Sequence, residues 1–279
     1  MRSMKRKLKT VLFYLTLTVV VFLINLPIIN MVGSSMKNKQ ELFTNNHLFP
    51  YKPTVENFAN VLERTPFFRY VVNSLLVAVV VAVSVMVISC LAGYAISRYS
   101  RRIKLFRYYS NLFLILQMFP GVLLMIPLVL VFSKAGLADS LGGLILIYIS
   151  SNIPFCTWMI SGFFDGIPIE MEEAAQIDGC NAIQCFLRLV LPLSSPGIAS
   201  IVIFTFINSW NEYMMANVIL KNQNLRTLPL GLQTFIMQFD TDWGSLMAAS
   251  TMTIIPVVFF LVFMQKHIVS GLTAGAVKG

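Results

Sequence analysis

The chain has 279 residues, of which 57% are hydrophobic and only 12% charged, and its mean hydropathy is +0.75. Soluble domains carry about 25% charged residues, so this composition excludes an ordinary soluble protein and indicates an integral membrane protein. The net charge is +9. The basic residues flank apolar segments and do not form a basic face with interleaved aromatic residues, which argues against a nucleic-acid-binding protein.

Six apolar segments without a charged residue organise the chain, at residues 10–36, 70–97, 108–133, 140–164, 189–211 and 243–265. Each is longer than the roughly 20 residues that a helix needs to cross the hydrocarbon core of a bilayer. Helices buried in a large soluble core are also apolar on all sides, but six such segments in one short chain do not suit that alternative. We therefore predict an all-α integral membrane protein with six transmembrane helices.

Lysine and arginine residues near the ends of these segments predict the orientation. Five lie before the first segment and five between the second and third, namely Arg2, Lys5, Arg6, Lys7, Lys9, Arg98, Arg101, Arg102, Lys104 and Arg107. Both groups are expected in the cytoplasm, and six crossings then place both termini there. The first segment also resembles a secretory signal, but it is too long for the apolar region of one and is interpreted as a retained helix.

The segment between the fourth and fifth apolar stretches, residues 165–192 and here called the acidic hairpin, is acidic although it is expected in the cytoplasm. It carries Asp165, Glu170, Glu172, Glu173 and Asp178 against Arg188 alone. Pro168 suits the first position of a helix that Gly179 ends. Asn181 suits the cap of a second helix, whose apolar positions at helical spacing are Ile183, Phe186, Leu187 and Val190. Periodicity alone leaves two roles open, a docking element or a plain connection between two spans.

A spaced pattern in the hairpin resembles a known family. Glu173-Ala174-Ala175 is followed by Gly179, Leu189 and Leu191-Pro192, and this resembles the E-A-A-x3-G-x9-I-x-L-P signature of ABC importer permeases, with Leu for Ile. Other segments resemble the carbohydrate-uptake branch: Asn73-Ser74-Leu75, Gly93-Tyr94-Ala95, Met118-Phe119-Pro120-Gly121, Trp210-Asn211-Glu212 and the C-terminal residues 271–279. The resemblance is to the smaller permease subunit of maltose-type importers and covers residues 70–279.

This resemblance implies that the acidic hairpin forms coupling helices that dock on a cytoplasmic ATPase, where Glu173 makes a charged contact. The implied coupling residues are Glu173, Ala174, Ala175, Asp178, Gly179, Leu189, Leu191 and Pro192. A second contact with the ATPase is implied for the C-terminal tail, residues 267–279, through Gly271, Leu272, Thr273, Ala274 and Gly275. The alternative for the tail is a disordered end.

The resemblance also implies an assembly in the cytoplasmic membrane of a bacterium or archaeon. Its expected members are a second homologous permease subunit, two ATPase subunits and an extracytoplasmic sugar-binding protein. ATP and Mg are expected on the ATPase subunits and no cofactor on this chain, which is not an enzyme and has no Walker-type loop. Its Cys and His residues lack the spacing of a metal site. We expect two regions, residues 1–69 with the first helix and outer loop, and 70–279 with the permease domain.

Glu212 is expected inside the fifth span, and a carboxylate within a membrane is costly enough to indicate a function. Residues whose side chains suit a sugar path near it and in other spans are Trp210, Asn211, Glu212, Tyr213, Gln117 and Asn152. The alternative for Glu212 is a polar clamp between helices.

Three functions are compared. The favoured one is a non-enzymatic ABC importer subunit that moves a carbohydrate by alternating access, with an ABC permease for another solute as a variant. The second is a proton-coupled sugar carrier that uses Glu212, although such carriers commonly have several intramembrane ionisable groups. The third is a membrane enzyme or scaffold, for which the sequence offers no set of catalytic residues.

Overall fold

A computed structural model of the chain describes residues 2–44, 47–100, 103, 108, 112, 113, 115, 117, 118, 120–236 and 241–276. In this part of the chain every regular element is helical. In chain order the helices are α1 (Arg2–Ser35), α2 (Lys39–Thr44), α3 (Glu56–Arg64), α4 (Phe67–Tyr99), α5 (Gly121–Lys134), α6 (Leu141–Asp165), α7 (Ile169–Ile177), α8 (Ala182–Cys185), α9 (Leu191–Leu193), α10 (Ser195–Asn211), α11 (Met214–Ile219), α12 (Leu228–Leu232) and α13 (Trp243–Ala276). A π-helical turn, Phe186–Val190, joins α8 to α9.

Four helices of the described chain are long and apolar enough to cross a membrane, at Lys9–Ser35, Phe67–Tyr99, Leu141–Asp165 and Trp243–Gln265. They confirm the first, second, fourth and sixth predicted segments as continuous helices. Part of the third segment lies outside the described residues, and its described end forms α5. The count of six crossings therefore stays a prediction.

The fifth predicted segment, residues 189–211, is not one straight helix. Ala182–Leu193 and Ser195–Asn211 meet at an angle of 75°. Pro192 has no N–H to donate to the preceding turn, and the N–H of Leu191 bonds to the carbonyl of Phe186 in the π-helical turn. The prediction of a single continuous span is wrong here because Pro192 and Pro196, on either side of the bend, both lack the N–H that would continue the hydrogen-bond ladder.

The chain divides into two compact units. Met1–Pro66 and Leu232–Ile255 form the first, and Phe67–Gly231 and Pro256–Gly279 the second. In the first unit, the buried side-chain amide of Asn57 donates to the carbonyls of Ser35 and Lys37 at 2.9 and 2.8 Å, which ties α3 to the end of α1. The predicted regions 1–69 and 70–279 stay a prediction.

The core of the second unit lies where α4, α6 and α10 pack together. Side chains almost inaccessible to solvent supply this core: Val77, Val81, Val85, Leu144, Ile147, Ile160 and Ile201. The opposite face of α4 exposes Val72, Val79 and Val83. A membrane-length helix with apolar side chains on both faces is expected to pack on its neighbours with one face and on lipid with the other.

Gly93 permits α4 and α6 to approach closely. A Cβ atom at Gly93 would lie 2.6 Å from the Cγ2 atom of Ile160 and 3.2 Å from the carbonyl oxygen of Thr157. Small residues allow such contacts between membrane helices. One turn before, the hydroxyl of Thr157 donates to that of Ser89 at 3.3 Å, so the close approach also brings polar groups into hydrogen-bond range.

Polar side chains fix the connection between α11 and α12. The side-chain amide of Asn73 donates to the carbonyls of Asn224 and Arg226 at 2.9 and 3.0 Å, and the hydroxyl of Ser74 accepts from the N–H of Leu228 at 2.7 Å. The Asn73-Ser74 pair singled out in the sequence therefore holds a neighbouring loop against the start of α4.

Asp139, between α5 and α6, holds the other end of the same connection. One of its carboxylate oxygens accepts from the N–H groups of Asn222 and Lys221, both at 2.8 Å. These backbone hydrogen bonds hold the pKa of Asp139 below its ordinary range.

Replacing Gly93 by valine is expected to lower the stability of the protein, because the added atoms overlap Ile160 and the backbone of α6. Overpacking of this kind typically costs about 1–3 kcal/mol. The matched control is Gly162→Val on α6, where an added Cβ meets no atom within 4 Å. The thermal transition of each variant in detergent is the measurement, and equal transitions for the two variants would contradict the close-approach role of Gly93.

Candidate functional site

The first helix of the acidic hairpin ends in a tight glycine turn. The helix α7 begins at Ile169, one residue after Pro168, the predicted first position, which is instead the N-cap. At its other end the N–H of Cys180 bonds to the carbonyl of Ala175 at 2.9 Å, as in a Schellman motif. Gly179 has φ +92°, a conformation that side chains other than glycine rarely adopt. The predicted glycine turn is confirmed.

The second helix of the hairpin starts with a capping box. The side chain of Asn181 accepts from the N–H of Gln184 at 2.8 Å, and the side chain of Gln184 accepts from the N–H of Asn181 at 2.9 Å. This reciprocal pair satisfies two backbone donors that a helix start would otherwise leave free. The predicted cap at Asn181 is confirmed. The helix that it caps, α8, continues directly into the π-helical turn.

The predicted apolar positions of the second helix do not form one buried face. Phe186 and Val190 are buried, whereas Ile183 and Leu187 are exposed. Near them the side chain of Ile177, at the end of α7, is 87% exposed. The π-helical turn changes the residues per turn, so a pattern of four apolar residues is divided between the core and the surface. The hairpin consequently presents apolar side chains outward.

The residues of the E-A-A pattern lie on both sides of this division. Glu173, Ala174, Asp178, Gly179 and Pro192 are exposed, and Ala175 is partly exposed. Leu189 and Leu191 are partly buried and pack against the core. The hairpin thus exposes acidic as well as apolar side chains, while the two leucines attach its second half to the core.

A buried ion pair anchors the hairpin on α4. Glu172 is only 3% exposed, and its Oε1 atom lies 2.6 Å from the Nε atom of Arg98. The hydroxyl of Tyr94 donates to the Oε2 atom of Glu172 at 2.6 Å, and Arg98 also donates to the carbonyl of Ile167 at 3.3 Å. Removing one partner of a buried pair costs about 3–5 kcal/mol, because it leaves the other charge uncompensated.

Aromatic rings surround this ion pair. The ring of Tyr94 lies 4.8 Å from that of Phe186 and 6.1 Å from that of Phe164, centroid to centroid. The three rings come from α4, the π-helical turn and the end of α6. They join three elements at a single contact next to the ion pair, and the guanidinium carbon of Arg98 lies 5.8 Å from the centroid of the Tyr94 ring.

Glu172 and Arg98 are functional candidates that the sequence reasoning missed. In the sequence the carboxylate is one of several acidic residues of the hairpin, and the arginine is one of the basic residues that orient the chain. A signal was present, because Tyr94 and Arg98 are four residues apart on one helix and therefore lie on one face. A polar pair on the face of a membrane helix predicts a polar partner.

Glu212 lies at the break that follows α10, so its predicted position inside a helix is corrected by one residue. Its carboxylate accepts from the N–H groups of Met215 and Ala216 at 2.8 and 3.1 Å. The hydroxyl of Tyr148 on α6 also donates to it. The chain leaves the helical conformation at Glu212, and these contacts match the clamp alternative.

A row of polar contacts, here called the polar seam, continues from Glu212 along α6 and α10. The amide of Asn208 donates to the side-chain oxygen of Asn152 at 3.2 Å. One turn further, the thiol of Cys156 and the hydroxyl of Thr205 lie 3.3 Å apart. The seam gives each of these polar groups a partner between two membrane-length helices.

The remaining substrate-path candidates do not converge. Trp210 is buried and stacks on Phe206, with centroids 5.8 Å apart. Asn211 and Gln117 are exposed and Tyr213 is partly exposed. Since their positions differ in burial and direction, a role for them as one sugar-binding set stays a prediction.

The C-terminal candidates Gly271, Leu272, Thr273, Ala274 and Gly275 lie on the last turns of α13. Residues 277–279 lie outside the described part of the chain. Within the described residues, no group of three or more His, Cys, Asp or Glu side chains is arranged to hold a metal ion.

Several membrane-length helices with an exposed hairpin between two of them make up this fold. A solved chain of a bacterial ABC transporter involved in the import of the acidic polysaccharide alginate has this fold, with a TM-score of 0.77 and 22% identity over 93% of this chain and 96% of that one. The chain belongs to the family described as binding-protein-dependent transport system inner membrane component, which matches residues 85–274.

Two relatives agree with this assignment. The diacetylchitobiose uptake system permease protein DasC of Streptomyces coelicolor is 37% identical over 94% of this chain and 95% of its own length. The sulfoquinovosyl glycerol transport system permease protein SmoH of Agrobacterium fabrum is 35% identical over 91% of this chain and 88% of its own length. The resemblance to ABC importer permeases stated from the motifs is confirmed.

Replacing Glu212 by alanine is expected to destabilise the junction after α10, because two backbone N–H groups and the Tyr148 hydroxyl lose their acceptor. Leaving such donors unsatisfied costs about 1–3 kcal/mol. Asn211→Ala, at the exposed neighbour, is the control, and Glu212→Gln retains one acceptor oxygen and should lie between the two. Thermal transitions in detergent are compared; a Glu212→Ala protein as stable as Asn211→Ala would rule out the clamp.

Proposed function

We propose that the chain is a membrane-spanning subunit of an ATP-driven importer that moves a carbohydrate into the cell by alternating access. The family membership supports the transport class. DasC and SmoH are named for the uptake of diacetylchitobiose and sulfoquinovosyl glycerol, which supports a sugar as the solute. The observation that carries the coupling part of the proposal is the outward apolar and acidic face of the hairpin.

In the proposed arrangement the chain crosses the membrane six times, with both termini and the acidic hairpin in the cytoplasm. The hydroxyl of Ser97, near the end of α4, donates to Asp165 at the end of α6, so these two helices end on the same side. Because both run in the same direction, one crossing must lie between them, and residues 108–133 supply it. The bent pair of helices that ends in α10 is the fifth crossing. Basic residues near the ends of the first two apolar segments set the orientation of the chain in the membrane.

The hairpin is the proposed docking element for a cytoplasmic ATPase. An exposed isoleucine, Ile177, beside the exposed carboxylate of Glu173 suits a partner with an apolar cleft and a basic group. Two ATPase subunits would bind ATP and Mg, and this chain would bind neither. Gly271–Gly275 form the second proposed contact with the ATPase.

Outside the cytoplasm, the proposed partners are a second homologous permease subunit, which completes the transport path, and an extracytoplasmic sugar-binding protein. The family description refers to binding-protein-dependent transport, which supports the delivery protein. In this arrangement Glu212, Asn152, Trp210, Asn211, Tyr213 and Gln117 remain candidates for the lining of the path.

A proton-coupled carrier that uses Glu212 is the weaker alternative. A proton carrier needs a carboxylate that exchanges its proton with a water-filled path. The carboxylate of Glu212 already accepts three hydrogen bonds within the protein. These contacts favour a holding role over proton exchange.

Replacing Glu173 by lysine is expected to abolish copurification of the ATPase subunits while the chain still inserts in the membrane. Charge reversal in a desolvated contact typically costs several kcal/mol. The matched control is Glu170→Lys, an exposed carboxylate on the same helix. Pull-down from detergent-solubilised membranes is the measurement, and full recovery of the ATPase with the Glu173→Lys chain would contradict the docking role.

The solute class is tested on the proposed extracytoplasmic binding protein. We expect calorimetry to detect binding of at least one member of a panel that contains diacetylchitobiose and maltooligosaccharides, since a sugar path requires a sugar receptor. Methionine and short peptides serve as the non-sugar controls. If the binding protein bound only methionine or peptides, the carbohydrate assignment would be wrong, and the chain would belong to an importer of another solute.

A further inference from the structure

Two of the four cysteines lie in the acidic hairpin, at positions that a capped helix start brings together. Asn181 is the N-cap of α8 and forms the capping box with Gln184, so Cys180 is the residue before the cap and Cys185 is the fourth residue of the helix. In a capped helix, the side chains at these two positions often pack on each other as a hydrophobic staple. In this hairpin both staple positions carry a thiol.

The structure has these two thiols side by side. They lie within hydrogen-bond range of each other. Cys185 is only 1% exposed, and its thiol also donates to the carbonyl of Glu172 on α7 at 3.9 Å. Cys180 is partly exposed. One thiol is therefore accessible from water, and the other is held in the interior of the hairpin directly beside it.

The turn before Cys180 leaves room for the thiols to approach further. A disulfide needs a sulfur–sulfur distance of about 2.05 Å, which is shorter than any hydrogen bond between thiols. Gly179 has φ +92°, and a Cβ atom built on it would meet no atom within 4 Å. The side of the turn on which a side chain would project is therefore open. A small movement of the turn can bring Cys180 to Cys185 without a steric overlap at Gly179.

We propose that Cys180 and Cys185 form a redox-active dithiol, which hydrogen peroxide converts into a disulfide within the hairpin. The sulfur of Cys180 attacks one peroxide oxygen and the O–O bond breaks, which gives a sulfenic acid at Cys180 and one water. The sulfur of Cys185 then attacks that of Cys180, and the S–O bond breaks as hydroxide leaves and takes up the Cys185 proton to form a second water. The two thiols lose two electrons and the peroxide gains them. A dithiol reductant reverses the change by thiol–disulfide exchange.

The disulfide ties the glycine turn to the interior of the hairpin. It closes a small ring that contains the exposed side chain of Ile183, so the turn can no longer open away from the start of α8. In the proposed arrangement the hairpin lies in the cytoplasm, where thiols are kept reduced and the disulfides that form are usually transient or redox-sensing. The dithiol is therefore a reversible modification site. It goes beyond the proposed transport function and needs no ATPase subunit to form.

The test treats the purified full chain in detergent with hydrogen peroxide, and a second sample with dithiothreitol after the peroxide. Free thiols are then alkylated in denaturant. Cleavage after Glu173 and Arg188 releases a peptide that contains both hairpin cysteines and no other cysteine. Mass spectrometry is expected to show this peptide two hydrogens lighter and without alkyl groups after peroxide, and doubly alkylated after dithiothreitol. Cys90 and Cys156, buried on α4 and α6, are the internal controls and should be alkylated in both samples.

Single substitutions separate the two roles. Cys185→Ser is expected to stop the reaction at a sulfenic acid on Cys180, which a cyclic 1,3-dione traps, whereas Cys180→Ser should leave Cys185 unmodified by peroxide. In the parent chain, hydrogen exchange of the amides between Gly179 and Cys185 is expected to become slower after peroxide and to return to its initial rate with dithiothreitol.

Three results would overturn the dithiol. The first is double alkylation of the hairpin peptide after a peroxide dose that oxidises glutathione in the same tube, which would leave the two cysteines as apolar packing of the staple. The second is a bond from Cys180 to a second copy of the chain. The third is a stable sulfenic or sulfinic acid on Cys180 in the parent. Because the ATPase is absent from this experiment, none of these results bears on the proposed transport function.

Discussion

A carboxylate and a guanidinium that are both nearly out of water hold the acidic hairpin against the membrane helices. Isolated buried charges are too costly to persist, so Glu172 and Arg98 are obliged to stay together, and everything attached to them stays too. The ring of Tyr94 and its neighbours close over the pair. The direction of α7, and with it the side of the hairpin that is left exposed, depends on this one attachment.

The membrane helices are joined by a different principle. Apolar packing distinguishes poorly between a neighbouring helix and lipid, so α4, α6 and α10 use small residues and paired polar groups. Gly93 allows the backbones of α4 and α6 to approach, and the polar seam between α6 and α10 pairs Asn152 with Asn208 and Cys156 with Thr205. Glu212 terminates the seam where the helix breaks. These contacts specify which helices meet and in which register, which a valine-rich surface cannot do by itself.

Local signals were predictable from the sequence, and contacts between distant segments were not. Apolar length and the turn residues Gly179 and Asn181 act through their own neighbours along the chain, and four of the six predicted membrane-length helices and both turn residues lie where expected. The bend before α10 was missed because apolar length was read without the cost of Pro192 in a helix. The side-chain partners of Glu172 and Glu212 lie more than sixty residues away, so only the fold reveals which acidic group is buried and which is presented outward.

The exposed isoleucine at the end of α7 also has a consequence for biosynthesis. In the proposed arrangement, a freshly inserted copy without its partner subunits carries Ile177, Ile183 and Leu187 exposed on the hairpin, and such surfaces are recognised by chaperones and proteases that remove incompletely assembled proteins. The amount of this chain must then match the amount of the subunit that covers the hairpin. Encoding the two proteins in one transcript would meet this requirement, since neither would accumulate alone.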